Sequence, residues 1–202
     1  MSDLEFKTYQ GKEIEAFIDK IGQIRLDAFK EFPYLYKGDL DYERAYLSEY
    51  TKHEKSLLIL VYSFNEIVGF ITGAAIDSKL SITEDAFKLF KSKGLSPSSF
   101  YYIGEIIVLK EYRSFDLSSK LLKEVEDFAL AQGYSSTCFL TVVREDDHPL
   151  KPKDYKDTAK LWEFHKYKRM NLYTKYKWTT IINSTDAIYQ ENRLEYWCKS
   201  LN

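Results

Sequence analysis

The clearest pattern of apolar and polar positions lies between residues 101 and 133. Residues 101–109 (YYIGEIIVL) are almost all apolar, which is typical of a buried strand. From residue 117 to residue 133 the apolar positions recur at helical spacing, and Gly133 suits a helix C-terminus. The apolar face of this predicted helix comprises Leu117, Leu121, Leu122, Val125, Phe128 and Ala129. Residues 110–116 are predicted to form the turn that joins the strand to the helix.

The rest of the chain alternates between strand-like and helix-like segments. Two apolar runs, 56–64 and 67–76, predict antiparallel strands joined by a tight turn at Asn65 and Glu66. The other predicted elements are strands at 5–9, 136–143, 173–182 and 194–201, helices at 13–29, 41–50, 81–94 and 158–167, and loops at 32–39 and 96–99. This order predicts an α/β (α+β) fold, a mixed sheet of about six or seven strands with helices on both faces. The 202 residues are expected to form a single domain, 1–202.

The predicted turn has the features of an anion site. It carries Arg113 and leads directly into a helix. The first amides of a helix have no partner within it, and the helix macrodipole places partial positive charge at that end. A phosphate group bound there would be stabilised by both effects.

The turn also carries a family resemblance. Residues 113–118 resemble the cofactor motif of the GNAT N-acetyltransferase superfamily, which reads Arg or Gln, two free positions, Gly, one free position, then Gly or Ala. Arg113 and the preceding apolar strand match this motif, whereas Asp116 and Ser118 stand at its glycine positions. The likeness extends through the run 135–143 (SSTCFLTVV) and the helix predicted at 158–167, which completes a strand, helix, strand, helix order.

A further likeness is to a bacterial branch of the same superfamily. It rests on the run 144–149 (REDDHP), followed by Pro152, Asp154, Tyr155, Trp162, Tyr167 and Trp178. The whole resemblance covers about half of the chain, from Phe100 onward. It implies a mostly antiparallel sheet and an acyltransferase that uses acetyl-CoA or another acyl-CoA.

The resemblance implies where the cofactor lies. The strands 102–109 and 136–143 would run parallel and splay apart, and the pantetheine arm would bond to backbone groups in that gap. Strand contacts would come from Ile107, Val108 and Leu109, and pyrophosphate contacts from Arg113, Ser114, Phe115, Asp116, Leu117 and Ser118. Trp162 would wall the channel, at a position where many relatives have Tyr. Lys166 stands where those relatives have Gly.

Asp116 is expected to act as the N-cap of the predicted helix. Its carboxylate would accept hydrogen bonds from the amides of Ser118 or Ser119. In that arrangement the carboxylate occupies the donors that a phosphate would use, and it adds a like charge. Cofactor binding would then be weak, altered or lost.

Acyl transfer to an amine needs a base, an oxyanion donor and a proton for the departing thiolate. Glu105 is the candidate base, since superfamily members often carry Glu near this point; the alternative is that it faces solvent or pairs with a Lys. A backbone amide near Val108 would polarise the carbonyl. Tyr155 and His148 are the candidate acids for the thiolate. Asp146, Asp147 and His148 are adjacent in sequence, which favours a solvated loop over a metal site, so no metal is expected.

Composition limits the other classes of function. The net charge of -2 argues against a general nucleic-acid binder, and Lys and Arg between residues 151 and 177 fit a local patch beside a nucleotide-shaped cofactor. The two cysteines give no disulfide framework, which favours the cytosol, and buried Cys138 is expected to be a structural thiol. No apolar segment approaches the ~20 residues needed to cross a bilayer.

Two functions follow from these observations. The first is an acyl-CoA-dependent N-acyltransferase that moves an acyl group to a small amine or a protein amino group by direct attack in a ternary complex. The alternative is a non-catalytic GNAT-fold protein that binds a ligand or a partner. The acceptor would lie between the first helices and the loops at 32–39 and 144–155, and the aromatic C-terminal tail could serve a homodimer interface.

Overall fold

The computed structural model of the protein describes residues 4–76 and 80–202, apart from the side chains of Ile82, Ser114 and Phe115. The strands in this part are β1 (Leu4–Gln10), β2 (Leu57–Ser63), β3 (Glu66–Ala75), β4 (Phe100–Val108), β5 (Ser136–Val142), β6 (Lys168–Ile181) and β7 (Ala187–Ser200). The α-helices are α1 (Ile18–Phe29), α2 (Leu40–Ser48), α3 (Ser81–Ser92), α4 (Leu117–Ala131) and α5 (Ala159–Phe164).

The strands form one seven-stranded sheet in the order β1-β2-β3-β4-β5-β7-β6. Every neighbouring pair is antiparallel except β4 and β5, which are parallel. Helices α4 and α5 pack on one face through Leu121 and Trp162, whereas α1, α2 and α3 pack on the other through Ile21, Leu47 and Phe90. The predicted mixed sheet with helices on both faces is confirmed.

The β2–β3 hairpin is confirmed, but its predicted turn is wrong by one residue. Ser63 pairs with Glu66, so the two turn residues are Phe64 and Asn65. Both have positive φ, 49° and 66°. A two-residue turn that follows the twist of the strands needs positive φ at both positions, and Asn adopts that conformation readily. Glu66 is therefore the first residue of β3.

Several predicted helices are interrupted or shortened. Gly11–Phe17 is a 3-10 helix, and α1 begins only at Ile18. The sequence did not predict this division, because apolar spacing over one or two turns does not separate the two helix types. Helix α2 likewise continues as the 3-10 helix Glu49–Lys52. Helix α5 ends at Phe164, because Lys166 has a left-handed φ of 67°.

Among the described residues, no helix is both long and apolar enough to span a bilayer.

Candidate active site

The site is built around a gap between the two parallel strands. Strands β4 and β5 pair only at Phe100–Ser136, Tyr101–Thr137 and Tyr102–Cys138. Beyond Tyr102, β4 continues to Val108 and β5 continues to Val142, without pairing to each other. The predicted parallel pair that splays at one end is confirmed. The edges of both strands can therefore bond to a ligand in the gap.

The backbone of β4 faces the gap at alternate residues. The amide of Leu109 donates to the carbonyl of Val68 at 2.9 Å, and Ile107 pairs with Phe70, so Leu109 and Ile107 direct their backbone groups toward β3. In an antiparallel pair the intervening residues point the other way. Ile106 and Val108 therefore face the gap. Of the predicted strand contacts, Val108 directs its backbone groups to the gap, whereas Ile107 and Leu109 direct theirs to β3. Sequence alone does not fix which alternate set faces a neighbour.

The turn after β4 keeps the backbone form that glycine would supply. It consists of the 3-10 helix Lys110–Phe115 and then Asp116, which has a left-handed φ of 56°. Asp tolerates this conformation better than most residues, because its short side chain can bond locally. Asp116 stands at the N-cap position of α4, as predicted, but the prediction that its carboxylate accepts capping hydrogen bonds is wrong. Capping side chains come from residues with extended backbone, so the left-handed φ explains the difference.

The amides at the start of α4 are not covered by a capping side chain. The amides of Leu117, Ser118 and Ser119 have no partner within the helix, and the Asp116 carboxylate does not cover them. The helix start can therefore accept an anion, although Asp116 leaves a negative charge nearby. The side chains of Ser114 and Phe115, both predicted contacts, lie outside the described part of the structure.

Arg113 ties the turn to the strand. Its Nε donates to the carbonyl of Val108 at 3.1 Å, and its Nη2 lies 3.5 Å from Oε2 of Glu31. Lys110 also pairs with Glu31, at 2.7 Å. The Arg113 side chain remains about half exposed. An anion at this turn would compete with Glu31 for both cations.

An open groove of about 500 Å³ runs from the start of α4 toward α5. Across it, Ser119 Oγ and His165 Nε2 share a hydrogen bond of 2.8 Å. The groove is lined by Phe6, Asp116, Ser119, Lys120, Lys123, Glu124, Glu126, Phe164, His165 and Lys199. Its volume suits a nucleotide-sized ligand.

Trp162 lies on α5 against the strand that borders the gap. It is 7% exposed, and its ring meets Phe139 of β5 edge-on, with centroids 4.9 Å apart. Among the described residues, its buried Nε1 has no hydrogen-bond partner. A buried donor without a partner costs free energy.

A β-bulge in β4 sets the direction of Glu105. The register between β3 and β4 shifts by one residue between Ile71 and Gly73, so that Gly104 and Glu105 together face Thr72. A Cβ on Gly104 would stand 2.0 Å from the Tyr50 hydroxyl, and glycine is needed there. The bulge brings the Glu105 side chain to the face covered by α1 and α2. The alternative that Glu105 faces solvent is wrong, because its side chain is buried.

Glu105 belongs to a buried ionic cluster. Arg25 of α1 donates from Nη1 to Glu105 Oε2, and from Nε to Oε2 of Glu43 on α2 at 2.5 Å. Burial opposes the charge of Arg25, but Glu105, Tyr46 and Glu43 raise its pKa well above the usual value. Both remaining carboxylate oxygens, Oε1 of Glu43 and Oε1 of Glu105, are buried without a hydrogen-bond partner in the described part of the chain. One cation therefore serves two carboxylates.

Aromatic rings enclose this cluster. The Arg25 guanidinium stacks 4.3 Å from the ring centroid of Tyr46 and 4.9 Å from that of Phe29. The Tyr46 hydroxyl donates to Glu105 Oε2 at 3.4 Å. Tyr34 stacks on Phe29 at 4.3 Å. Burial raises the pKa of Tyr34 to about 12, with Arg25 acting against this rise and Glu105 and Tyr155 adding to it.

Tyr155 and His148 lie together at the next loop. Both rings contact Phe32, with centroid distances of 4.8 Å and 5.5 Å. Burial lowers the pKa of His148, and Arg144 adds to the effect. Burial also raises the pKa of Tyr155. The loops at 32–39 and 144–155 are therefore in contact through Phe32.

Arg25, Glu43 and Tyr34 escaped the sequence analysis. Arg25 had a detectable signal, since it stands on the apolar stripe of Ile18 and Ile21 where a charge needs a buried partner. Glu43 had the same signal, being four residues before buried Leu47. Tyr34 had none, because its position depends on the fold of the loop.

Two strands that separate beside a helix start with uncovered amides form a site for a ligand that has an extended arm and an anionic group. Comparison with family models agrees: residues 21–151 match the model of the acetyltransferase (GNAT) family. The chain belongs to this family and is an acetyltransferase. Comparison with curated proteins gives no match.

Solved structures share this fold at low sequence identity. An N-acetyltransferase of Staphylococcus aureus Mu50 is 15% identical, with a TM-score of 0.63 over 100% of both chains. The protein yncA of Salmonella typhimurium, solved with its cofactor acetyl-CoA, is 11% identical, with a TM-score of 0.60 over 100% of this chain and 95% of that chain. A ribosomal-protein-alanine N-acetyltransferase of Brucella melitensis is 10% identical, with a TM-score of 0.60 over 97% and 99%.

Proposed function

We propose that the protein transfers an acyl group, most simply acetyl, from acyl-CoA to a primary amine by direct attack in a ternary complex. The observation that carries this proposal is the β4–β5 gap, which leads to a helix start whose amides the Asp116 carboxylate leaves open. The family match supports the same chemistry.

Acyl-CoA would lie along the gap and across the turn. Backbone groups of Ile106 and Val108 would hold the pantetheine arm, and the amides at Leu117 and Ser118 would hold the pyrophosphate. Trp162 Nε1 is a buried donor beside β5 for a carbonyl of that arm. The groove at Lys120 would hold the nucleotide end.

Glu105 is proposed as the base that takes the proton of the acceptor ammonium. Arg25 and Tyr46 fix Oε2, so the unpartnered Oε1 is the oxygen open to an acceptor or to a bridging water. The backbone amide of Val108, which faces the gap, would donate to the developing oxyanion.

The proton for the departing thiolate would come from a tyrosine. The Tyr155 hydroxyl is protonated at neutral pH, and burial raises its pKa, which makes it a weaker acid than a free tyrosine. Burial also raises the pKa of Tyr34, and the charges of Glu105 and Tyr155 add to this rise. His148 fits less well, because burial lowers its pKa and favours the neutral form.

The acceptor would enter between the loops at 32–39 and 144–155, where Phe32 meets Tyr155. A small amine and a protein amino group both satisfy this chemistry. Asp116 and Lys166, which stand where relatives have glycine, keep left-handed backbone. A cytosolic location and a homodimer through the C-terminal strands stay predictions.

The test has two readouts. Acetyl-CoA at 100 times its dissociation constant should stabilise the fold by about 2.7 kcal/mol, seen as a rise in Tm. With acetyl-CoA and a panel of polyamines and short peptides with free N-termini, a thiol-reactive dye should record release of CoA. A rise in Tm without turnover on any amine would favour the binding protein, and no rise at millimolar acetyl-CoA would contradict the proposal.

A further inference from the structure

The two cysteines of the chain lie opposite each other across neighbouring strands. Cys138 of β5 pairs in register with Cys198 of β7. Residues directly opposite on an antiparallel pair have side chains on the same face of the sheet. Both cysteines belong to the apolar cluster formed with Phe90 of α3, and both are free thiols.

The hydrogen-bond pattern fixes the type of this pair. The amide of Val143 donates to the carbonyl of Arg193 at 2.9 Å, which marks one hydrogen-bonded position of the β5–β7 ladder. Bonded and non-bonded positions alternate along an antiparallel pair. Five residues back from Val143, Cys138 falls at a non-bonded position, opposite Cys198.

The other end of the ladder agrees. The amide of Leu201 donates to the carbonyl of Ser135 at 2.9 Å. Leu201 and Ser135 therefore form a hydrogen-bonded pair. Cys198 and Cys138 lie three register steps away, an odd number, so they again fall at a non-bonded pair. Non-bonded pairs have Cα atoms about 4.5 Å apart with the side chains close together. A disulfide needs a Cα separation of about 4.4–6.8 Å, so this position allows one without movement of the backbone.

The two thiols differ in access. Cys138 is 0% exposed, whereas Cys198 is half-buried and lies opposite Lys168 of the edge strand β6. Burial raises the pKa of both thiols, and Lys168 acts against this rise at Cys198. Cys198 is therefore the thiol that an external reagent reaches first.

We propose that Cys138 and Cys198 form a covalent modification site, a cross-strand thiol pair that glutathione disulfide or a similar disulfide converts to an intramolecular disulfide. The Cys198 thiolate attacks the reagent, forming a mixed disulfide and releasing one glutathione thiolate. The Cys138 thiolate then attacks the Cys198 sulfur and releases the second glutathione. Two cysteine thiols lose two protons and two electrons, and one glutathione disulfide becomes two glutathiones.

The position of this bond relates it to the gap. Cys138 also pairs with Tyr102 of β4, at the last rung before β4 and β5 separate. A bond from Cys138 to Cys198 would join β7 to β5 at the root of the gap. The inference is independent of the proposed function, because it rests on the register of β5 and β7.

The test is intact-mass analysis of the folded full chain after incubation with glutathione disulfide at alkaline pH, which raises the thiolate fraction of both cysteines. The sample is then unfolded and its remaining thiols are alkylated. The parent should lose about two mass units and take up no label, and peptide mapping should show Cys138 linked to Cys198. Cys138→Ala should stop at one glutathione on Cys198, and Cys198→Ala should keep a thiol that is labelled only after unfolding.

Three results would overturn the proposal. These are a parent that accumulates as a stable glutathione adduct, a parent that links between chains on a non-reducing gel, or a parent that reacts only in urea. Should either alanine variant fail to fold, the peptide map of the parent and the serine variants at the same positions decide the outcome.

Discussion

Arg25 and Glu105 form a buried ion pair between α1 and the bulge of β4, and Arg25 also pairs through Nε with Glu43. A single cation thus faces two carboxylates in a buried site. Attraction repays the cost of burying charge only when the hydrogen bonds are satisfied, and here one oxygen of each carboxylate is left open. The cluster therefore has one more carboxylate than cations beside the gap.

Loss of the cation should destabilise the fold strongly. We expect Arg25→Met to cost about 3–5 kcal/mol, because it leaves two buried carboxylates without a counter-charge. Urea unfolding measures this loss, and adding Glu43→Gln to the variant should recover part of it. A cost below about 1 kcal/mol would mean that water already screens the cluster.

The catalytic role proposed for Glu105 can be separated from its structural role by comparison with Glu43. We expect Glu105→Gln to lower kcat by about 10²- to 10⁴-fold with unchanged affinity for acetyl-CoA, because a base acts on the acceptor. Glu43→Gln is the matched control, since it removes the other partner of Arg25. Equal losses of kcat in the two variants would assign Glu105 to structure alone.

Arg113 should contribute to cofactor binding in competition with Glu31. We expect Arg113→Ala to weaken acetyl-CoA binding, more at low salt, where its attraction to phosphate is least screened. Glu31→Gln should strengthen binding, because it releases both Arg113 and Lys110 from their ion pairs. Calorimetric titration at two salt concentrations measures both changes, and a salt-independent affinity would remove Arg113 from the site.

The sequence predicted most elements, but β6 and β7 begin at Lys168 and Ala187, ahead of the predicted starts at 173 and 194. It also did not predict which face each side chain takes. Periodicity located α4, β4 and β5, because burial imposes a clear pattern on one face of an element. The parallel pairing of β4 and β5 was implied by the family resemblance. Periodicity could not locate the bulge at Gly104 and Glu105, since one extra residue leaves the apolar pattern almost unchanged while it turns a side chain to the other face. The Arg25 cluster was partly readable, as a charge on an apolar stripe.

Asp116 and Lys166 allow the sharpest test of the cofactor site. Each stands where relatives have glycine, and each has left-handed backbone, with φ of 56° and 67°. A side chain in this conformation costs about 1 kcal/mol, and Asp tolerates it better than Lys. We expect Lys166→Gly to stabilise the fold more than Asp116→Gly in urea unfolding. For acetyl-CoA affinity the order should be reversed, with the larger change in Asp116→Gly.

Asp116→Gly removes a negative charge at the start of α4 and should tighten acetyl-CoA binding. The gain should come from charge alone, because the Asp116 side chain does not cover the helix amides. It should therefore shrink as salt is raised, whereas Lys166→Gly should leave affinity within about twofold of the parent. Titration of both variants beside the parent decides the matter: if Asp116→Gly binds no tighter at low salt, the start of α4 does not hold the pyrophosphate.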